Sequence, residues 1–262
     1  MNIRVLGCHG SDVILDAHSS ARCCRSSGFL FNDHLLIDAG TAASTLSLEA
    51  QRKIHHVLVS HIHLDHIKEL PALADNLLGT GEATITVLST STILDGLKQH
   101  VFNDHIFPNF FELPKGRNPI LVESALQPGE STRIAEFDII PIEVNHTVPT
   151  VGFIIQDDTA ACLYSGDTYQ TEKIWKIAAT TPNLKAVLIE TSFPDEMSEL
   201  ALASKHLTPS LLAQEYKKIG RPDLPLYIYH IKPTFRDQIV AQLNQLKIPT
   251  LSVLEEGQEL TL

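Results

Sequence analysis

The chain has 262 residues, 44% of them apolar and 19% charged, which suits a globular fold with a sizeable core and excludes a disordered or fibrous chain. Its net charge of −11, from 31 acidic against 20 basic residues, repels polyanions at long range and argues against a nucleic-acid polymer as main partner. A small phosphate ester stays open, because a bound metal ion supplies its own positive charge.

The length fits one large α/β domain or two small ones. The first residues, MNIRVLGCHG, lack the pattern of a secretory leader, and no apolar run approaches the ~20 residues of a membrane span. The expectation is a soluble, cytoplasmic protein without a membrane partner. Cys8, Cys23, Cys24 and Cys162 are spaced as neither a zinc motif nor a disulfide framework. They read as free thiols, although the Cys23–Cys24 pair offers donors for a soft metal.

In chain order, IRVLG predicts a first strand. GFLFN and HLLIDAG follow as a hairpin around Asn32-Asp33. HHVLVS, ATITVLST, FDIIPIEVNH, TVGFIIQD and AACLYSGD read as further strands, and KAVLIETS, LPLYIYH and IPTLSVLE complete the set. Helical spacing of apolar residues marks TEKIWKIAAT, TPSLLAQEYKKIG and TFRDQIVAQLNQL. Thr208-Pro209 and Pro233-Thr234 start helices, and Gly220 stops one. Strands come first, then strand–helix alternation, which predicts sheets with helices outside in one compact α/β domain, 1–262.

Several of these strands end in a metal-competent residue: VLVS runs to His61, IEVN to His146, CLYSG to Asp167 and LYIY to His230. Strand-end loops on a rigid scaffold commonly carry function. The segment His61-Ile62-His63-Leu64-Asp65-His66 sets three imidazoles and a carboxylate within six residues. Two ligands at i and i+2 can hold one ion, and the Asp-His pair after them a second.

SHIHLDH, followed in order by His146, SGDT and His230, resembles the signature of the metallo-β-lactamase superfamily. The resemblance spans nearly the whole chain and implies an αββα sandwich with its site at the sheet edges. It implies His61, His63 and His146 on one metal, Asp65, His66 and His230 on a second, and Asp167 bridging them. This donor set suits two divalent ions, zinc first, with manganese or iron as rivals. The segments SHIHLDHIKEL, HVFNDHIFPNF, SGDTYQTEKIW, SKHLTP and YHIKP are similar to those of the class II cyclic-nucleotide phosphodiesterases. VLGCHG, SSGFLF and IDAGT fit the same branch. The stretch between Gly7 and Gly28, with His9, His18 and the cysteine pair, is read as a surface loop beside the site.

Breaking a phosphodiester requires protonation of the departing alkoxide. His206 in SKHLTP is the candidate general acid, and Glu190, ending AVLIE, the group that orients it. Asp65 joins them in the expected catalytic set. Ser60 and Thr168 flank ligands and are read as hydrogen-bonding supports. The stretch from Gln99 to Pro114 holds Phe102, Phe107, Phe110 and Phe111. It is either a hydrophobic cluster closing the core or a substrate-facing lid, 92–118, in which Phe107, Phe110 and Phe111 stack on a base while Asn103 reads its edge.

The leading expectation is a dinuclear phosphodiesterase opening a 3′,5′-cyclic nucleotide, cyclic AMP or cyclic GMP, to the 5′-monophosphate, with a metal-generated hydroxide as nucleophile. One rival is a ribonuclease Z-like nuclease or another small-phosphodiester hydrolase. A second, of a different class, is a metal-binding sensor without turnover. Assembly as a homodimer is left open.

Overall fold

The strand Leu184–Glu190 is buried at every position but Lys185, and its surroundings explain why. It pairs in parallel with Ala161–Tyr164 on one side and Leu226–Tyr229 on the other. A central parallel strand is covered on both faces and so needs apolar residues on both. Alternation along the strand sends Ala186 and Leu188 into one core layer, Val187 and Ile189 into another.

The computed structural model describes residues 1–14, 23–79 and 84–262. The strand above lies in a seven-stranded sheet ordered Leu251–Val253, Leu226–Tyr229, Leu184–Glu190, Ala161–Tyr164, Val151–Gln156, Phe137–Glu143, Thr132–Ile134. A second seven-stranded sheet runs Glu259–Thr261, Asn2–Gly7, Gly28–Phe31, Leu35–Ile37, His56–Leu58, Ile85–Ser89, Leu121–Ala125. Aromatic rings join the two sheets. Phe29 lies 5.5 Å from Tyr164 and 5.3 Å from Tyr229, and Phe31 meets Phe137 edge-on at 6.4 Å.

Helices complete the layers. Trp175 of Lys173–Thr180, Leu212 of Pro209–Lys217 and Leu243 of Arg236–Gln245 cover the free face of the Leu184–Glu190 sheet. Leu73 of Leu70–Leu77 and Leu97 of Ser91–His100 cover the other sheet. Each such buried side chain contributes about 1.5–3 kcal/mol. The expected αββα sandwich is the fold observed. Among the described residues no helix is long and apolar enough to cross a membrane.

The hairpin turn at Asn32-Asp33 forms as expected, with φ of 45° and 64° at the two residues, the left-handed pair that a tight hairpin demands. Thr208 caps its helix by accepting from the Leu211 amide. Elsewhere the sequence patterns were too short or too mixed to read. Ser91–His100 and Leu70–Leu77 are helices, and Leu121–Ala125 and Glu259–Thr261 are sheet strands.

Two expectations need correcting. His9, Cys8 and Cys24 are buried while residues 11–14 are exposed, so only part of the described Gly7–Gly28 stretch is a surface loop; His18 lies outside the described residues. In the aromatic stretch, Phe102 and Phe110 are core residues, and Phe107 and Phe111 are half-buried against that core. Phe102 meets Phe111 edge-on at 5.3 Å. A buried Phe110 offers no face to a base. Asn103 is likewise engaged, its amide donating to the Gln99 carbonyl while its oxygen accepts from the His105 and Ile106 amides. Phe102 and Phe110 close the core, and Phe107 and Phe111 pack against it half-buried.

Phe110→Ala is therefore expected to cost about 3–5 kcal/mol of folding stability, and Phe107→Ala clearly less. Denaturant unfolding of both variants checks this. Wild-type stability for Phe110→Ala would mean that the ring is not part of the core.

Candidate metal centre

Four strand ends meet at one edge of the sandwich. His61 and His63 follow His56–Leu58, and the short helix Leu64–Ile67 carries Asp65 and His66. His146 follows Phe137–Glu143. Asp167 follows Ala161–Tyr164 through Gly166, whose φ of +61° and approach to the Val151 carbonyl exclude a larger residue. His230 follows Leu226–Tyr229 with φ of +64°, a strained value for a residue with a side chain. Its amide is held by the Cys8 carbonyl at 2.6 Å.

The donor atoms gather into two sets. His61, His63, His146 and Asp167 form one, and Asp65, His66 and His230 another. His146 Nε2 stands 3.2 Å from His63 Nδ1, and His230 Nε2 3.2 Å from Asp65 Oδ2. Asp167 Oδ2 lies 3.2 Å from His230 Nε2, 3.3 Å from His66 Nε2 and 3.7 Å from His61 Nε2, so one carboxylate reaches both sets. All seven residues named from the sequence come together here, in the grouping that the resemblance implies.

The residues fit a pair of metal ions by their own chemistry. His61 Nε2, His66 Nε2 and Asp167 Oδ1 are buried without a hydrogen-bond partner. Orphaned polar atoms of this kind are costly unless something else satisfies them. Burial holds the His61, His63 and His146 imidazoles below their ordinary pKa, which keeps them neutral, the form that binds metal. His66 is raised, because the Asp167 and Asp38 carboxylates outweigh its burial. The imidazoles around Asp167, led by His230, overcome burial and hold its carboxyl well below the usual range.

Each set is braced from behind. Asp38 is the principal brace, and sequence reasoning assigned it no role although IDAGT was noted. Its carboxylate accepts from His66 Nδ1 at 2.7 Å, the Tyr164 hydroxyl at 2.6 Å, and the Ser60 amide and hydroxyl at 2.8 Å each. Ser60 Oγ in turn lies 3.0 Å from His61 Nδ1. His146 Nδ1 donates to the Lys205 carbonyl at 3.0 Å, and His230 Nδ1 meets Ser192 Oγ at 2.9 Å. The distal nitrogen of each of these four rings is thus engaged, which turns the other nitrogen toward the site.

Beside the set, His206 Nδ1 pairs with Glu190 Oε1 at 2.8 Å, both residues buried. Burial lowers the imidazole pKa, but the Glu190 carboxylate overrides it and raises it. The His206 ring lies 5.0 Å from His146 and 5.2 Å from His230. Glu190 is itself fixed by the Thr168 amide at 3.1 Å and the Ser192 hydroxyl at 3.0 Å. A cavity of about 510 Å³ borders His146, its polar lining including Thr90, Ser91, Gln127, Glu143 and Thr147.

Asp38→Asn should weaken metal binding about 10–100-fold, the usual effect of losing such a brace. Asp33→Asn on the exposed hairpin should leave it unchanged. Competition with a chromophoric chelator measures both; equal affinity in Asp38→Asn and wild type would remove Asp38 from the metal-positioning role.

Comparison with known proteins agrees with this geometry. Residues 33–231 match the family described as Beta-lactamase superfamily domain. A 3′,5′-cyclic-nucleotide phosphodiesterase of Schizosaccharomyces pombe is 25% identical over 266 aligned residues, covering 86% of this chain and 74% of that protein. The crystal structure of unliganded yeast PDE1 superposes with a TM-score of 0.83 at 19% identity, over 100% of this chain and 99% of that one. Human tRNase Z, short form, does so with a TM-score of 0.69 at 15% identity, over 100% and 99%. The chain belongs to the β-lactamase superfamily and is a metal-dependent hydrolase with the metallo-β-lactamase fold.

Proposed function

We propose that this hydrolase opens 3′,5′-cyclic nucleotides to 5′-monophosphates, with His206 as general acid and two divalent metal ions, zinc first, held by the seven residues of the centre. The Glu190–His206 pair at 2.8 Å carries the reading. A protein that merely holds metal has no use for a buried, carboxylate-raised imidazole beside its ligands, whereas expulsion of an alkoxide needs a proton donor. Likeness to a protein named as a cyclic-nucleotide phosphodiesterase supports the same reading.

The ions, when bound, supply a nucleophilic water at neutral pH and neutralise phosphate oxygens. The chain's own residues do the rest. Glu190 takes the Nδ1 proton of His206 as a hydrogen bond, so the opposite ring nitrogen is the one that gives its proton to the leaving 3′ oxygen. Asp65, paired with His230, fixes the second metal set. The nucleoside end occupies the cavity beside His146, where hydroxyls and amides can read a base and a ribose. Stacking on Phe107, Phe110 and Phe111 is not needed in this arrangement, and Asn103 stays in its turn. The net charge of −11 favours a small, singly charged diester over a polynucleotide. Its cysteines suit a reducing, cytoplasmic setting.

His206→Ala should slow hydrolysis of a nucleotide by on the order of a hundredfold or more and leave metal content unchanged. The loss should shrink on nitrophenyl esters, whose leaving group needs little protonation. Equal losses on both substrates would show that His206 does not deliver a proton.

Substrate choice is settled by comparing kcat/KM for cyclic AMP, cyclic GMP, bis-nitrophenyl phosphate and a tRNA precursor. At least one cyclic nucleotide should be preferred, and Gln127→Ala should alter that preference while Phe107→Ala does not. Efficient turnover of the aryl diester or the tRNA precursor without either cyclic nucleotide would overturn the cyclic-nucleotide reading and leave the phosphodiesterase intact.

A further inference from the structure

Next to the His230 backbone, whose amide the Cys8 carbonyl holds, Cys8, His9 and Glu256 bring three donor atoms together, all within 4.8 Å of one another. Cys8 Sγ lies 3.8 Å from His9 Nδ1, and His9 Nδ1 lies 3.0 Å from Glu256 Oε1. In the dinuclear centre, donors of one set stand 3.2–3.7 Å apart, so the spacing is of the same kind. Cys8 and His9 are buried, at 2% and 8% exposure. Cys24, also buried, lies within electrostatic reach of the Cys8 thiol. A cavity of about 180 Å³, lined by His9, Arg236, Leu254, Glu255 and Glu256, gives access to the group.

We propose that Cys8, His9 and Glu256 form a third, mononuclear metal site for a zinc-like ion, separate from the hydrolytic pair. The donor set of thiolate, imidazole and carboxylate is one that zinc accepts in tetrahedral sites. The charge balance suits a buried place. A divalent ion displaces the Cys8 thiol proton, the His9 proton moves from Nδ1 to Nε2, and one thiolate with one carboxylate leaves the site neutral. Without the ion, the thiol stays protonated against the Leu254 carbonyl at 3.4 Å, and Glu256 accepts from His9.

The location gives the ion a task. His9 bridges to Ser26 on one side and Ile231 on the other. The Cys8 carbonyl holds the amide of His230, and Gly10 lies so close to the His230 ring that an added Cβ would meet Nδ1 at 3.0 Å. Tying residues 8 and 9 to Glu256 therefore fixes the wall against which His230 adopts its strained backbone. The site braces the centre and takes no part in the reaction.

Cobalt reconstitution tests this independently of activity, since the dinuclear set contains no sulfur. Metal-free protein loaded with Co²⁺ should bind a third equivalent and show a thiolate-to-cobalt charge-transfer band in the near ultraviolet, which Zn²⁺ bleaches. Cys8→Ala should lose both the band and the third equivalent. Should Cys8→Ala fail to fold, Glu256→Gln decides, because it keeps the size and hydrogen-bonding capacity of the side chain and should also lose the third equivalent. A cobalt-saturated wild type with two equivalents and no such band would overturn the site, leaving His9–Glu256 as a plain hydrogen bond. A band surviving Cys8→Ala, or a third equivalent surviving Glu256→Gln, would overturn it equally.

Discussion

A carboxylate with 1% exposure and an orphaned oxygen is costly to bury, and the groups around Asp167 compensate for it. An unpaired buried charge is worth several kcal/mol of instability. Imidazoles alone compensate poorly, because each proton they take up must itself be buried. Divalent cations held by the two donor sets would resolve both problems, because Asp167 and the bare nitrogens of His61 and His66 are free to hold them and the imidazoles could then stay neutral. Metal binding and the integrity of this sheet edge are therefore one equilibrium.

That coupling reaches the centre of the sandwich through Asp38. Its carboxylate receives Tyr164, whose ring stacks on Tyr229 at 5.0 Å, and Phe29 closes on both. Tyr164 and Tyr229 belong to one sheet and Phe29 to the other. The rings that join the sheets thus also aim His66. The Tyr164 hydroxyl donates to Asp38 at 2.6 Å, and this hydrogen bond is the physical reason why a polar tyrosine, and not phenylalanine, occupies so buried a place.

Legibility in the sequence followed the distance over which partners meet. The strands, the hairpin at Asn32-Asp33 and the helix beginning at Thr208 are set by neighbouring residues, and they could be read. His61, His63, Asp65 and His66 are consecutive enough to announce themselves; His146, Asp167 and His230 were legible as metal-competent strand ends, their grouping came from family resemblance, and His206 came from the chemistry of the leaving group. The partners of Asp38 lie 22, 28 and 126 residues away, and Glu256 meets His9 across 247; no local pattern encodes such meetings. The aromatic stretch failed differently. A cluster of phenylalanines has the same composition whether it closes a core or faces a ligand, and only burial distinguishes the two.

The acidic surface and the acidic centre have a common consequence for what can bind. Asp38, Asp65, Asp167 and Glu190 place four carboxylates in or against the site, and the nearby side-chain cations are few: Lys232 Nζ stands 3.9 Å from Asp65 and donates to the Gly10 carbonyl. Two divalent ions with a protonated His206 would bring the local charge to a small positive excess. One negative charge on a diester neutralises that excess; the many charges of a polynucleotide would still meet the negative surface beyond it. Selection by charge is thus built in two steps, with metal creating the attraction at short range and the remainder of the protein limiting its reach. This is the sense in which a chain with net charge −11 can accept a phosphodiester, and it favours the small diester of the proposed function over a polynucleotide.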